Sequence, residues 1–167
     1  LPWILAGAAA LLMVLVPAWV AAVYLLSFQR GGVLMASLVL LVATADIGAY
    51  FTGKRFGRHK LAPEVSPAKT WEGFWGGVLS VVLVTLAIWS ILPAQFDHIG
   101  MGAAIAVGLA TALTSVLGDL TVSMVKRESG TKDSSSLLPG HGGLLDRLDS
   151  LCGAAPTFAL SLLLAGY

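Results

Sequence analysis

The sequence is short of charge. Of its 167 residues, ten are Lys or Arg and nine are Asp or Glu, 11% of the chain, while 57% are apolar. An average soluble domain is about one-quarter charged, so this chain has too little polar surface to cover a water-soluble globule. Disorder is excluded by the same numbers, since disordered segments are poor in apolar residues. A single cysteine, Cys152, excludes a disulfide scaffold. A net charge of +1 removes the electrostatic footprint of a nucleic-acid binder, so no nucleic-acid partner is expected. There is no internal repeat and no low-complexity linker, and Ser134 to Ser136 is too brief to form one. A zinc site is not expected either, because His59 and His98 lack ligand-like spacing. Cys152 adjoins an apolar segment and reads as a packing residue, with nothing nearby to activate a thiolate.

What the chain has instead is long apolar runs. A bilayer core of about 30 Å takes roughly 20 helical residues. Four runs approach that length, Leu5 to Leu26, Val33 to Phe51, Phe74 to Leu92 and Met101 to Val122, and a shorter fifth spans Leu151 to Tyr167. The expected fold is an all-α integral membrane protein with about five transmembrane helices, a single polytopic domain over residues 1–167. The chain starts at Leu1 with no basic stretch and cleavage site before the first run, so it reads as the C-terminal part of a longer protein rather than as a chain led by a signal peptide.

The few charges are placed unevenly. Between the second and third runs lie Lys54, Arg55, Arg58, Lys60 and Lys69, and between the fourth and fifth lie Lys126, Arg127, Lys132 and Arg147. By the positive-inside rule both segments, read as polar loops over Thr52 to Gly73 and Ser123 to Ser150, face the cytosol. Every charge except Arg30 and Asp97 then belongs to that side or to the helix ends beside it.

Two four-residue periods run along the fourth apolar segment. Gly102, Ala106, Ala110, Thr114 and Gly118 form a smooth ridge for helix packing. Thr111, Ser115, Asp119 and Ser123 form a polar row that ends in a carboxylate. A carboxylate at that depth needs a partner or a watery cavity, and so does Asp46 in the second run. Such carboxylates allow two readings: an ion transporter with intramembrane sites, or a reaction centre at one membrane surface. Their crowding to one side favours the surface centre.

The segment SMVKRESGTKDSSSLLPGHGGLLDRLD (123–149) interleaves Lys126, Arg127, Lys132 and Arg147 with Asp133, Asp146 and Asp149, and carries the turn Gly140-His141-Gly142-Gly143. Cations suit phosphate oxygens, hard carboxylates suit Mg²⁺, and glycines let backbone N–H groups approach an anion. Attraction to anionic lipid would explain the cations but not the carboxylates and the glycine turn.

This segment resembles the signature of the phosphatidate cytidylyltransferases, the CDP-diacylglycerol synthases. The upstream stretches Asp46-Ile47-Gly48-Ala49-Tyr50, Lys60-Leu61-Ala62-Pro63 and Ser66-Pro67-Ala68-Lys69-Thr70-Trp71-Glu72-Gly73 resemble the same family. The likeness covers residues 46–156. It implies transfer of CMP from CTP to phosphatidic acid at the cytosolic face of a bacterial inner membrane. It implies Asp119 and Asp146 as metal ligands for Mg²⁺, with Asp46 or Asp149 as further candidates and K⁺ as a candidate second cation. Lys126 and Arg127 are implied in catalysis beside the two aspartates. Ser66, Lys69, Thr70, Lys132, Asp133, His141, Gly142, Gly143, Arg147 and Asp149 are implied in substrate binding. His141 retains an ordinary reading as a turn residue. One departure stands out: Val122 occupies the position before Ser123 where the family usually has glutamate.

Other motifs do not fit. SPAKT lacks the GxxxxGK[ST] spacing of a P-loop, and the DG…AR…G…D…D spacing of CDP-alcohol phosphotransferases is absent. Trp71, Phe74 and Trp75 at a span boundary are open to two readings, an aromatic belt or a base-stacking platform. The membrane lipid is an expected partner and a second copy of the chain a candidate one, since the small-residue ridges could pack within or between subunits.

Overall fold

A computed structural model describes residues 2–92, 99–128 and 145–167. Five helices carry most of the chain: α1 (Pro2–Ser27), α2 (Gly31–Phe56), α3 (Trp71–Ile91), α4 (Met101–Glu128) and α5 (Leu145–Leu164). Between α2 and α3 lies a two-stranded antiparallel hairpin, β1 (Lys60–Ala62) and β2 (Ser66–Thr70), with Lys60 opposite Thr70 and Ala62 opposite Ser66. The fold is an all-α membrane architecture with this small hairpin added. Three of the helices, α2, α3 and α4, are long and apolar enough to cross a bilayer.

Their outward surface is apolar. Met13, Trp19, Leu79, Leu83, Leu117 and Leu163 are all exposed, a surface that suits lipid and not water. Leu25, Leu34, Leu38, Val81, Ala154 and Phe158 fill the interior.

The helices extend further than the apolar runs. α2 has 26 residues, roughly 39 Å at 1.5 Å per residue, against a hydrocarbon core of about 30 Å. Its last turn therefore carries Lys54 and Arg55, and the last turn of α4 carries Lys126 and Arg127. These four cations, expected in loops, are helical. Lys and Arg are good helix formers, and cations at a C-terminus complement the helix dipole. α2 closes on Gly57, whose N–H donates to the Gly53 carbonyl at 2.9 Å. The expected loop over Thr52 to Gly73 is thus a helix end, a hairpin and a helix start.

Small residues set the spacing between neighbours. On the seam of α2 and α3, a side chain at Gly73 or Gly77 would put its Cβ 2.8 Å from the Ala49 or Ala45 carbonyl oxygen. On the seam of α4 and α5, a Cβ on Gly118 would lie 2.8 Å from both the Asp149 carbonyl oxygen and the Gly153 Cα. The expected ridge on α4 is packed at this end only, since Gly102 has open space around it.

Candidate active site

The C-termini of α2 and α4 and the N-termini of α3 and α5 fall at the same end of the bundle, where Asp46, Lys54, Lys60, Lys69, Asp119, Lys126 and Asp149 are gathered. There α2, α3, α4 and the hairpin enclose a cavity of about 450 Å³. α2 contributes Asp46, Ala49, Tyr50, Gly53, Lys54 and Gly57. These positions are spaced 3, 1, 3, 1 and 3 residues apart, one continuous face of a helix. α3 contributes Gly73, Phe74, Gly77 and Val78, α4 contributes Ala112, Val116 and Asp119, and the hairpin contributes Lys60 and Lys69.

Lys69 makes the central contact. Its ammonium Nζ lies 2.5 Å from Asp119 Oδ2, with both side chains about three-quarters buried (23% and 26% exposed). The other oxygen of Asp119, Oδ1, accepts from the Ser123 hydroxyl at 3.2 Å. Asp46 is within electrostatic range of Asp119 and Lys69, and within reach of the Ser150 side chain on α5. Asp149 is buried, accepts from the Ser150 N–H at 2.8 Å, and feels Asp119, Lys126 and Lys69. Lys69 therefore pairs with the carboxylate of α4 and lies within electrostatic range of those of α2 and α5, with Lys126 on the face that Asp119 and Ser123 share.

The hairpin is held so that Lys69 can reach. Thr70, next in the chain, is the N-cap of α3: its hydroxyl accepts from the Gly73 N–H at 3.1 Å. The Trp71 N–H donates to the His59 carbonyl at 3.0 Å, and Glu72 Oε1 lies 2.7 Å from His59 Nδ1. Thr70 was expected to bind substrate; it lines the cavity, but its hydroxyl is engaged in the cap. Ser66 opens β2 and is not among the cavity-lining residues.

Other expected residues fall as follows. Lys126 is half-buried and Arg127 exposed at the end of α4. Asp146 and Arg147 belong to the first turn of α5, three residues and two residues before Asp149. Lys132, Asp133, His141, Gly142 and Gly143 lie outside the described residues. Val122 is buried at 2% exposure and does not line the cavity, a position suited to an apolar side chain. Among the described residues no three His, Cys, Asp or Glu side chains converge on a point that would hold a metal ion.

Three polar residues that line the cavity were not assigned to the site from the sequence: Tyr50, Lys54 and Lys60. The first two were recoverable, because they lie four and eight residues after Asp46 on a helix. Lys60 depends on the hairpin.

The profile of the cytidylyltransferase family matches residues 4–165. The chain belongs to this family. Among similar cytidylyltransferases, the phosphatidate cytidylyltransferase of Pseudomonas aeruginosa is 48% identical over 159 residues, covering 93% of this chain and 57% of that protein. That of Haemophilus influenzae is 50% identical over 131 residues, covering 78% and 46%. An uncharacterized Escherichia coli protein, YnbB, is 41% identical over 141 residues, covering 84% and 46%. The chain thus spans about half the length of the curated relatives it matches. The ion-transporter reading gains no support from this membership.

Proposed function

We propose that this chain carries the catalytic portion, residues 46–156, of a CTP:phosphatidate cytidylyltransferase of a bacterial inner membrane, working on the cytosolic side. The reaction joins phosphatidic acid and CTP to give CDP-diacylglycerol and pyrophosphate. The observation that carries the reading is the Lys69–Asp119 pair inside a cavity that is charged where it meets the hairpin and apolar between the helices. A phospholipid headgroup and a nucleotide triphosphate would meet at such a boundary.

A phosphate monoester carries about 1.5 to 2 negative charges at neutral pH, so its oxygen needs no base to act as a nucleophile. One of those oxygens forms a bond to the α-phosphorus of CTP, and the bond between that phosphorus and the bridging oxygen to the β-phosphate breaks. Pyrophosphate leaves. The obstacle is repulsion between two polyanions, so catalysis consists of alignment and charge neutralisation. Lys69 is held at the cavity by the anchored hairpin, while Lys126 and Arg127 offer further positive charge from α4. Lys132 and Arg147 are proposed to bind phosphate, and Asp133, His141, Gly142 and Gly143 to take part in substrate binding.

Mg²⁺ is the cation proposed for these carboxylates. Asp119 already accepts a cation, the Lys69 ammonium, and Mg²⁺ is held by one or two carboxylates together with substrate phosphates rather than by an all-protein cage. Asp119 and Asp146 would hold it, with Asp149 or Asp46 alongside; when bound, Mg²⁺ neutralises charge on the triphosphate. A second cation such as K⁺ belongs to the same proposal.

The test uses the purified full-length protein. Label from CTP should enter a chloroform-soluble product only when both phosphatidic acid and Mg²⁺ are present. Incorporation without phosphatidic acid would reject the lipid substrate, and incorporation undiminished by chelator would reject the metal.

A further inference from the structure

Four cations crowd into seven residues where α2 leaves the membrane: Lys54, Arg55, Arg58 and Lys60. All four are exposed, and none forms an ion pair among the described residues. Of the acids near them in sequence, Asp46 lies in the cavity and makes no ion pair with them, Glu72 is taken by His59, and Glu64 lies in the hairpin turn. Lys54 and Lys60 line the mouth of the cavity, whereas Arg55 and Arg58 do not. Exposed aromatic rings stand at the same level. Tyr50, Phe51 and Phe56 are each more than half exposed, Lys54 lies 5.5 Å from the Tyr50 ring centre, and the Arg55 guanidinium lies 5.7 Å from that of Phe56.

Aromatic rings of this kind settle at the headgroup level, and cations immediately cytosolic of a span attract anionic lipid. The combination fixes the depth of the charges. At that depth the two guanidiniums would stand beside the headgroup phosphates, and the two ammoniums, which line the cavity, would stand between those phosphates and it.

We propose that Arg55 and Arg58 form a docking surface for the phosphate of an anionic lipid in the cytosolic leaflet, separate from the cavity but opening into it through Lys54 and Lys60. The ligand class is a lipid phosphate, monoester or diester, and its occupancy requires no reaction. A lipid held there enters the cavity by sliding past Lys54 and Lys60 without leaving the headgroup plane.

The experiment measures lipid association without CTP, so it stands apart from the proposed reaction. Full-length protein is reconstituted in phosphatidylcholine vesicles containing spin-labelled phosphatidic acid, phosphatidylglycerol or phosphatidylcholine, and the motionally restricted fraction is read by electron paramagnetic resonance. The unsubstituted protein should prefer both anionic labels over phosphatidylcholine, and Arg55→Gln with Arg58→Gln should lower that preference at least about threefold. Arg55→Lys with Arg58→Lys should retain most of it, which separates lost charge from lost folding. A preference for phosphatidic acid alone would narrow the ligand to a phosphomonoester. Equal restriction of all three labels, or a preference unchanged in the Gln variant, would overturn the proposal. So would displacement of the anionic label by inorganic triphosphate at constant ionic strength, which would give the cluster to a soluble polyphosphate. Cytidylyl transfer at saturating lipid should be unchanged by the Gln pair.

Discussion

The two ends of this bundle are built from the same helices and differ in what they enclose. At the hairpin end a cavity of about 450 Å³ holds Asp46, Lys69 and Asp119. At the other end, where α3 leads to α4, the space is about 40 Å³ and is lined by residues such as Leu41, Ile88, Phe158 and Leu162. Trp89 Nε1 donates to the Ile99 carbonyl at 2.9 Å beside it. Polar atoms there have little to do: Thr85 Oγ1 is buried with no hydrogen-bond partner among the described residues. The difference teaches that apolar composition alone does not make a site. Small residues on α2 and α3 leave room, and the hairpin then brings a cation into it.

The comparison is most easily broken at Asp119. Asp119→Asn keeps the shape and removes the charge that Lys69 meets; cytidylyl transfer should fall by roughly 10² to 10³, the usual cost of losing one group that stabilises transition-state charge. Folding, followed by size-exclusion profile, should be retained. Activity within tenfold would remove Asp119 from the site. Asp146→Asn should match it if the two share an ion.

A smaller effect is expected from the seam beneath the site. Gly118→Ala places a Cβ 2.8 Å from the Asp149 carbonyl oxygen, an overpacking worth about 1–3 kcal/mol, and it pushes on the backbone that carries Asp149. Thermal melts in detergent should drop, and transfer should drop further than stability does. Gly102→Ala, made on the same helix where the space is open, serves as the control and should change neither.

At the closed end, Trp89→Phe removes the bond to Ile99 and should cost about 1 kcal/mol of stability with no change in the CTP dependence of transfer. Smallest of all is Trp75→Leu. Trp71, Phe74 and Trp75 meet edge to face, with centroids 5.8 and 5.3 Å apart, and both tryptophans are exposed. Phe74 lines the cavity; Trp75 does not. As a belt residue Trp75 should leave the KM for CTP unchanged, whereas a base-stacking role would raise it.

The spans were legible because apolar runs report membrane helices directly, and the need of Asp119 for a partner or a watery cavity followed from the four-residue polar row. Helix ends were harder to read. No apolar run marks Lys54 to Phe56 or Lys126 to Glu128 as helical, and the backbone continues because their Lys, Arg and Glu residues favour helix and Gly57 supplies the stop of α2. The hairpin was hidden by Pro63 and Pro67, which suggest a loop, although β2 tolerates Pro67 in its two-stranded setting. Missing the hairpin meant missing that Lys69 faces Asp119, fifty residues away in sequence. The face of α2 formed by Asp46, Tyr50 and Lys54 was present in the spacing, and only the assumption that the helix ended at Phe51 concealed it. Thr111 and Ser115 show the converse: read as a polar face nearing the cytosol, they are fully buried, Thr111 bonding to the Val107 carbonyl at 2.7 Å.

The central claim is that the cavity transfers a cytidylyl group and not a phosphoryl group. Its most direct test compares CTP labelled at the α-phosphate with CTP labelled at the γ-phosphate, each supplied with phosphatidic acid and Mg²⁺ to the full-length protein. The account predicts that the α label enters the chloroform phase while the γ label remains in water as pyrophosphate. Transfer of the γ label to lipid, or of neither, would contradict it.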